Sequence, residues 1–414
     1  MESGQTFVKT RKAITFVCSF YKQFMKHIPV FLPLVLFIIG CTPMDMFQME
    51  PIEYSVIKYE TSDLSSAKQI DSALVSYLKF LPFLDKNLIF RVAAISYPTV
   101  DPNGKQVVAS GLVFHPINKK SRGVIEIMPS AHIDSEGGGT DKLSAIEGVF
   151  VLDGYTMIIP DFIGSGISKD LVLPLLMVEN TGRVAWDMRR AAAQYLWDEF
   201  RYAIPVETVV MGYSLGGFSA LATQKYYEAH YSNIVKIKEV YAGGGIYDLP
   251  VAFTAFAQSG FTTYPAIPKI ILGFNHYYNL NLDFSKVFKG ELLANYQEWY
   301  NGKYKSDEVM ERIGTNMRGY LHEDFFKPFD QQNIELKKLH ICLEENSVSD
   351  GWRPKAPIYM MHAQEDSLVP IENVLATVKK LRRAGANISF ISYPGGHYTV
   401  GYLYFIRYLL QFLI

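Results

Sequence analysis

The segment Val209-Val210-Met211-Gly212-Tyr213-Ser214-Leu215-Gly216-Gly217 contains the spacing G-x-S-x-G, with a β-branched run leading into its first glycine. A helical pattern follows, with Leu215, Phe218 and Leu221 on one face. Strand, sharp turn and helix together make a nucleophile elbow, which lifts a serine hydroxyl to the top of a sheet. The turn forces the serine into a strained conformation, so its neighbours must be small, and Gly212 and Gly216 meet that need. The helix N-terminus then lies beside Ser214, where its dipole and the Leu215 N–H stabilise a developing oxyanion. A serine hydroxyl is unreactive at neutral pH unless a base takes its proton and an acid orients that base. Where a nucleophile elbow presents the serine, both partners follow it in the order acid, then histidine. His340, His362 and His397 are the histidines to weigh. His397 follows a strand and the flexible Pro394-Gly395-Gly396 and precedes the last helix, a setting that carries an imidazole over the sheet edge. His362 ends a strand and reads as packed, and His340 has no comparable setting. Asp366, just past the penultimate strand, is the expected acid, with Glu365 and Asp248 as rivals.

The elements that must position these groups are legible as alternating patterns. Strands are expected over Leu88–Tyr97, Val107–Phe114, Gly123–Met128, Tyr155–Ile159, Thr208–Met211, Val235–Tyr241, Ile358–Met361 and Ile388–Ile391. A turn at Asp101-Pro102-Asn103-Gly104 joins the first two. Helices are expected over Asp141–Leu152, Val184–Phe200, Leu215–Tyr227, Pro370–Arg383 and Tyr398–Leu413. This alternation implies a doubly wound, mostly parallel sheet. It is interrupted between about residues 247 and 357, too long a stretch for a loop. A helical insertion over the carboxyl edge of the sheet, where open α/β folds place their ligands, accounts for it. The insertion is rich in aromatic residues, including Phe253, Phe256, Phe261, Tyr264, Phe274, Tyr277, Tyr278, Trp299 and Tyr300. Most are expected in its own core, and others along an apolar acyl or aryl pocket.

These segments, with Pro160-Asp161-Phe162-Ile163-Gly164-Ser165-Gly166 and Ala242-Gly243-Gly244-Gly245-Ile246-Tyr247-Asp248-Leu249, resemble the secretory-lipase branch of the α/β-hydrolases over roughly residues 90–414. The resemblance implies an α/β-hydrolase fold with a lid inserted after the sixth strand and Ser214, Asp366 and His397 as the triad. It also implies hydrolysis of carboxylic esters with neither metal nor organic cofactor. The pattern departs at the oxyanion loop. Relatives often show His-Gly after the third strand, whereas Met128-Pro129-Ser130-Ala131-His132-Ile133 has isoleucine in place of that glycine. The second oxyanion donor is assigned to the backbone near His132, beside the first at Leu215. Gly137-Gly138-Gly139 lacks the Gly-Lys-Ser/Thr ending of a phosphate-binding loop. Two alternatives stand beside ester hydrolysis. A peptidase of the prolyl-oligopeptidase kind is weakened because the chain before residue 90 is too short for a β-propeller. A catalytically silent lipoprotein binding a hydrophobic ligand has no need of all three triad residues.

Of the 414 residues, 49% are hydrophobic and 20% charged, with a formal net charge of −1. That balance gives no electrostatic case for nucleic acid as a partner. The three cysteines, Cys18, Cys41 and Cys342, do not make a disulfide framework, and Cys342 reads as a buried small hydrophobe. Lys22, Lys26 and His27 precede the apolar run Ile28–Ile39, which is short for a bilayer span and has the layout of a secretory signal. It ends Ile38-Ile39-Gly40-Cys41, which resembles the lipobox of bacterial lipoproteins, and Met25 is a second candidate start. The expected organisation is a signal segment over residues 1–41, a spacer with polar helical stretches over 42–86, and the hydrolase domain over 87–414. Its place is the bacterial cell envelope, attached to the membrane by a lipid on Cys41. Mass spectrometry of a membrane fraction is then expected to find an acylated Cys41 at the N-terminus. An unmodified Cys41 inside a longer peptide would count against the anchor.

Overall fold

The computed structural model describes residues 49–63, 87–130, 140 and 146–413. The strands of these residues are β1 (Ser55–Asp63), β2 (Ile89–Val100), β3 (Gln106–Pro116), β4 (Val124–Met128), β5 (Thr156–Pro160), β6 (Glu207–Tyr213), β7 (Lys236–Gly243), β8 (Ile358–Ala363) and β9 (Ile388–Tyr393). They form one sheet in the order β1-β2-β3-β5-β4-β6-β7-β8-β9. The first four in that order pair antiparallel, and from β5 to β9 all pairs are parallel. The helices are α1 (Val178–Phe200), α2 (Leu215–His230), α3 (Leu249–Ser259), α4 (Ala266–Tyr277), α5 (Gly290–Trp299), α6 (Ser306–Ile313), α7 (Ile334–Glu345), α8 (Ile371–Arg383) and α9 (His397–Leu413). This is the doubly wound, mostly parallel sheet expected from the alternation of elements.

The sheet is covered on both faces, which is why its central strands read as unbroken apolar runs. Met128, Val210 and Val240 pack into the core that also holds residues of α2 and α8. Their strand neighbours Ile127, Val209, Met211 and Tyr241 pack on the other face against Val400, Tyr404, Phe405 and Tyr408 of α9. The β2–β3 hairpin closes where Asp101 Oδ1 accepts from the N–H groups of Asn103 and Lys105, at 2.9 Å each.

Two segments differ from the sequence expectation. Ser55–Asp63, read as part of a spacer, is the edge strand of the sheet, pairing along β2 from Ser55↔Ser96 to Asp63↔Ile89. Its Val56, Ile57 and Tyr59 are exposed, so it carries no alternating pattern to betray a strand. The helix expected over Asp141–Leu152 is described from Ile146 onward as a 3-10 segment, Ile146–Asp153. Val149, Phe150, Val151 and Leu152 are all buried, so this segment has no solvent face to set a helical period.

The chain between β7 and β8 forms the helical insertion, α3 to α7 with short 3-10 turns between them. It leaves and re-enters the sheet through one narrow neck. Val348 N–H donates to the Tyr247 carbonyl at 3.0 Å, and Leu249 N–H donates to Ser347 Oγ at 3.1 Å. Asp248, 1% exposed, caps α3 and accepts from Ser349 Oγ at 2.9 Å and Lys380 Nζ at 2.8 Å. Cys342 is buried on α7, and burial pushes its thiol pKa up to about 11.

Beneath the neck, a charge sits in the middle of the sheet. Glu126 of β4 accepts from Arg189 Nη1 of α1 at 2.5 Å and from Tyr227 Oη of α2 at 2.7 Å, with both charged side chains 1% exposed. The network ties two helices of one face, α1 and α2, to the central strand. Replacing one member strands the other, and breaking a buried pair costs about 3–5 kcal/mol. Glu126→Gln is therefore expected to lose roughly that much stability by chemical denaturation. A loss below about 1 kcal/mol would show that the network is dispensable.

Candidate active site

Four strand ends meet at the carboxyl edge of the sheet. Met128 of β4 pairs beside Gly212 of β6, Tyr213 beside Gly243 of β7, and Gly243 beside Met361 of β8. Ser214 follows β6 with φ 60° and ψ −124°, in the left-handed half of backbone space where a non-glycine residue is strained. The turn is held on every side. Ser214 N–H donates to the Gly243 carbonyl at 2.8 Å, and Gly217 N–H donates to the Ser214 carbonyl at 2.9 Å. A Cβ at Gly216 would overlap the Met128 carbonyl oxygen, and one at Gly212 would overlap the Gly216 carbonyl. The G-x-S-x-G spacing is thus a packing requirement of three strands as well as a turn.

His397 opens α9, and its Nε2 lies 2.9 Å from Ser214 Oγ. Its Nδ1 lies 2.7 Å from Asp366 Oδ2. A carboxylate only accepts, so in the neutral ring Nδ1 carries the proton and Nε2 is left to accept from the serine. Asp366 Oδ1 is occupied by the N–H groups of Leu368 at 3.0 Å and Val369 at 2.9 Å, which fixes the carboxylate and leaves Oδ2 to the histidine. The Asp366 and His397 side chains are 0% and 5% exposed. The structure therefore brings Ser214, His397 and Asp366 into one hydrogen-bonded chain.

The rival residues lie elsewhere. Glu365 is exposed, and Asp248 is committed to the insertion neck. His340 stacks on Phe329 with ring centroids 4.1 Å apart. His362 is fully buried, and burial lowers its pKa, so its ring is neutral and Nε2–H donates to the Val369 carbonyl at 3.0 Å. It braces the loop that holds Asp366. Leu215 opens α2, so its N–H belongs to the first turn, where donors have no intrahelical acceptor. His132 lies outside the described residues, as do Cys41 and Gly137-Gly138-Gly139.

Sequence reasoning missed the residues that lock the site together. Tyr404 of α9, fully buried, accepts from Gly212 N–H at 2.9 Å and donates to the Tyr241 carbonyl at 2.8 Å. Tyr213 donates to the His397 carbonyl at 2.7 Å. The two tyrosines fasten the serine turn and the histidine helix to each other across almost two hundred residues of chain, a separation no local pattern reveals. Asp161 accepts from Ser110 Oγ and Thr140 Oγ1, at 2.6 Å each, below the same edge.

The site opens into a cleft of about 1150 Å³, with Ser214, Leu215 and His397 in its wall. Phe162, Leu173 and Leu176 line one side, and Ile270 and Trp299 of the insertion line the other. Of the insertion's aromatics, Phe253, Phe256, Phe274 and Tyr277 are buried in its core and Tyr264, Trp299 and Tyr300 reach the cleft, whereas Phe261 and Tyr278, expected in one or the other, are exposed. Among the described residues no group of His, Cys, Asp and Glu side chains could hold a metal ion.

Residues 145–399 match the family model described as secretory lipase. The chain belongs to the secretory lipase family. It is a carboxylic ester hydrolase. No curated protein matches it in sequence. Among solved structures, the enzyme is similar in fold to the Legionella pneumophila protein lpg1103, with a TM-score of 0.73 at 18% identity, covering 88% of this chain and 97% of that one. It is likewise similar to the rice cell wall degrading esterase LipA from Xanthomonas oryzae, with a TM-score of 0.70 at 18% identity, covering 90% and 97%. Candida antarctica lipase A follows at a TM-score of 0.54 and 15% identity, covering 86% and 79%.

Tyr404→Phe tests the clamp between α9 and the serine turn. It leaves the Gly212 N–H and Tyr241 carbonyl without their partner, and a buried polar group so stranded costs about 1–3 kcal/mol. The expected result is a loss of that size in unfolding free energy, with kcat reduced more than KM is raised. An unchanged stability would show that water or a neighbour replaces the hydroxyl.

Proposed function

We propose that the enzyme cleaves carboxylic esters through an acyl-enzyme formed on Ser214, with His397 as the base and Asp366 as its orienting acid. The observation that carries this reading is the chain of contacts from Ser214 Oγ to His397 Nε2, at 2.9 Å, and from His397 Nδ1 to Asp366 Oδ2, at 2.7 Å. As Ser214 attacks the ester carbonyl, His397 takes its proton and becomes a cation beside a carboxylate already held by two backbone N–H groups. The carbonyl oxygen gains negative charge next to the Leu215 N–H and the positive end of α2, which favours the tetrahedral intermediate. His397 then returns the proton to the departing alcohol oxygen. Water, activated by the same imidazole, attacks the acyl carbonyl and frees Ser214.

The apolar walls of the cleft suit an ester with a substantial hydrocarbon or aryl portion, and the helical insertion is assigned the part of a lid above it. The second oxyanion donor is assigned to the backbone near His132. The anchor at Cys41, with the signal segment before it, places this chemistry at the bacterial cell envelope.

Ser214→Ala is expected to abolish turnover of a p-nitrophenyl ester and labelling by a fluorophosphonate. Asp366→Asn is expected to lower kcat by about 10⁴-fold with KM changed far less, because the amide presents its N–H toward Nδ1 and favours the wrong imidazole tautomer. Glu365→Gln has little effect, and Asp248→Asn acts through thermal stability. Should Asp248→Asn show the large kcat loss while Asp366→Asn does not, the acid is misassigned and the Ser214–His397 pair stands.

A further inference from the structure

Among the described residues, the cleft wall contributed by the insertion contains a cation without a counter-ion. Lys269 of α4 lines the same cleft as Ser214 and is half-buried. Its Nζ donates to Ser306 Oγ of α6 at 2.9 Å and lies 5.9 Å from the centroid of the Tyr264 ring, and both partners are neutral. Ser306, 2% exposed, in turn donates to Tyr264 Oη at 3.3 Å, so the tyrosine O–H is left to donate toward the cleft. Among the described residues no carboxylate stands within ion-pairing distance of Lys269. Two carboxylates that line the cleft are engaged elsewhere: Asp161 by Ser110 and Thr140, and Glu308 by the Lys305 N–H at 2.8 Å.

An ammonium held among aromatic and aliphatic groups pays a desolvation penalty that neutral hydroxyls only partly offset. Burial lowers the Lys269 pKa accordingly. The cost is removed when an anion arrives with the ligand, and the bond then formed is of the strong, charge-assisted kind. In a mainly apolar cleft, a single convergent charge of this sort fixes orientation and specificity. One ammonium balances one negative charge, which matches a carboxylate better than a phosphate dianion.

We propose that the preferred substrates are esters that also bear a carboxylate, and that Lys269 is the residue that selects them by binding that carboxylate beneath the insertion. This rests on the ester-hydrolase reading of Ser214. Two pairs of near-isosteric esters test it at neutral pH. In one pair the charge is on the acyl side, p-nitrophenyl hemiglutarate against p-nitrophenyl pentanoate. In the other it is on the alcohol side, the butyrate ester of a hydroxy acid against that of the matching alcohol. The readout is the ratio of kcat/KM for the anionic member to that for its neutral partner.

Lys269→Met is expected to lower this ratio about ten- to a hundredfold in at least one pair, the range for losing a hydrogen bond to a charged group. The affected pair tells which side of the ester lies under the insertion. Lys269→Gln keeps a polar, hydrogen-bonding end but not the charge, so it must lose the preference too. A ratio that moves less than about threefold in the Gln variant overturns the proposal, since Lys269 then only ties α4 to α6. Ser214-dependent hydrolysis of the neutral esters with no such shift sinks the Lys269 assignment alone, and turnover of none of the four esters sinks both readings.

Discussion

Ser214 occupies a backbone conformation that costs on the order of 1–3 kcal/mol for a residue other than glycine, and such strain persists only where its surroundings over-determine it. Here the surroundings are the ends of β4, β6 and β7, closed so tightly on one another that carbonyl oxygens occupy the space of absent side chains at Gly212, Gly216 and Gly217. Because the strain is carried by backbone contacts, the hydroxyl arrives already raised above the sheet edge. Nothing has to move to present it.

The same sheet handles charge in two ways. Glu126 and Arg189 lie deep between β4 and the helices of one face, bonded to each other, Tyr227 and the Pro205 carbonyl, and they serve cohesion. Asp366 and His397 lie at the carboxyl edge, where the acid is also fully held but the imidazole keeps one nitrogen for the serine. A carboxylate fixed by two backbone N–H groups gives the histidine a rigid partner without competing for its other face. The two pairs differ in that the His397 imidazole also reaches a serine hydroxyl at the sheet edge.

Much of this was legible in the chain because the relevant constraints are local. A serine between glycines at the end of a β-branched run, an aspartate just past one strand and a histidine just past the next each stand at a loop that an α/β sheet brings to one edge. Asp248, a rival acid on the sequence, caps α3 at the neck, a part its Asp-Leu-Pro setting suits. What escaped the sequence is non-local or without periodicity. The edge strand β1 shows no alternation because apolar residues on both of its faces are exposed. Tyr213 and Tyr404 look like ordinary core aromatics until their hydroxyls are seen to join β6 to α9. Glu126 sits inside an apolar run, with its partners on two helices far along the chain. Lys269 stands in a stretch read only as a helical insertion, and the folded insertion sets it in the wall of the serine's cleft.

The neck formed by Tyr247, Asp248, Leu249 and Ser347 to Ser349 has a consequence for how such a protein changes over time. About a hundred residues depart and return through a gate a few ångströms across, stitched by backbone and side-chain bonds that do not involve the rest of the detour. Closing a longer or shorter excursion at a fixed gate alters the loop entropy only slowly, by about 0.6 kcal/mol per doubling of length. The register of β7 against β8 is therefore insulated from whatever sits above it. The lower half behaves as a socket and the upper half as an exchangeable cassette, so new ligand preferences can be acquired by replacing helices without renegotiating the geometry of the serine turn.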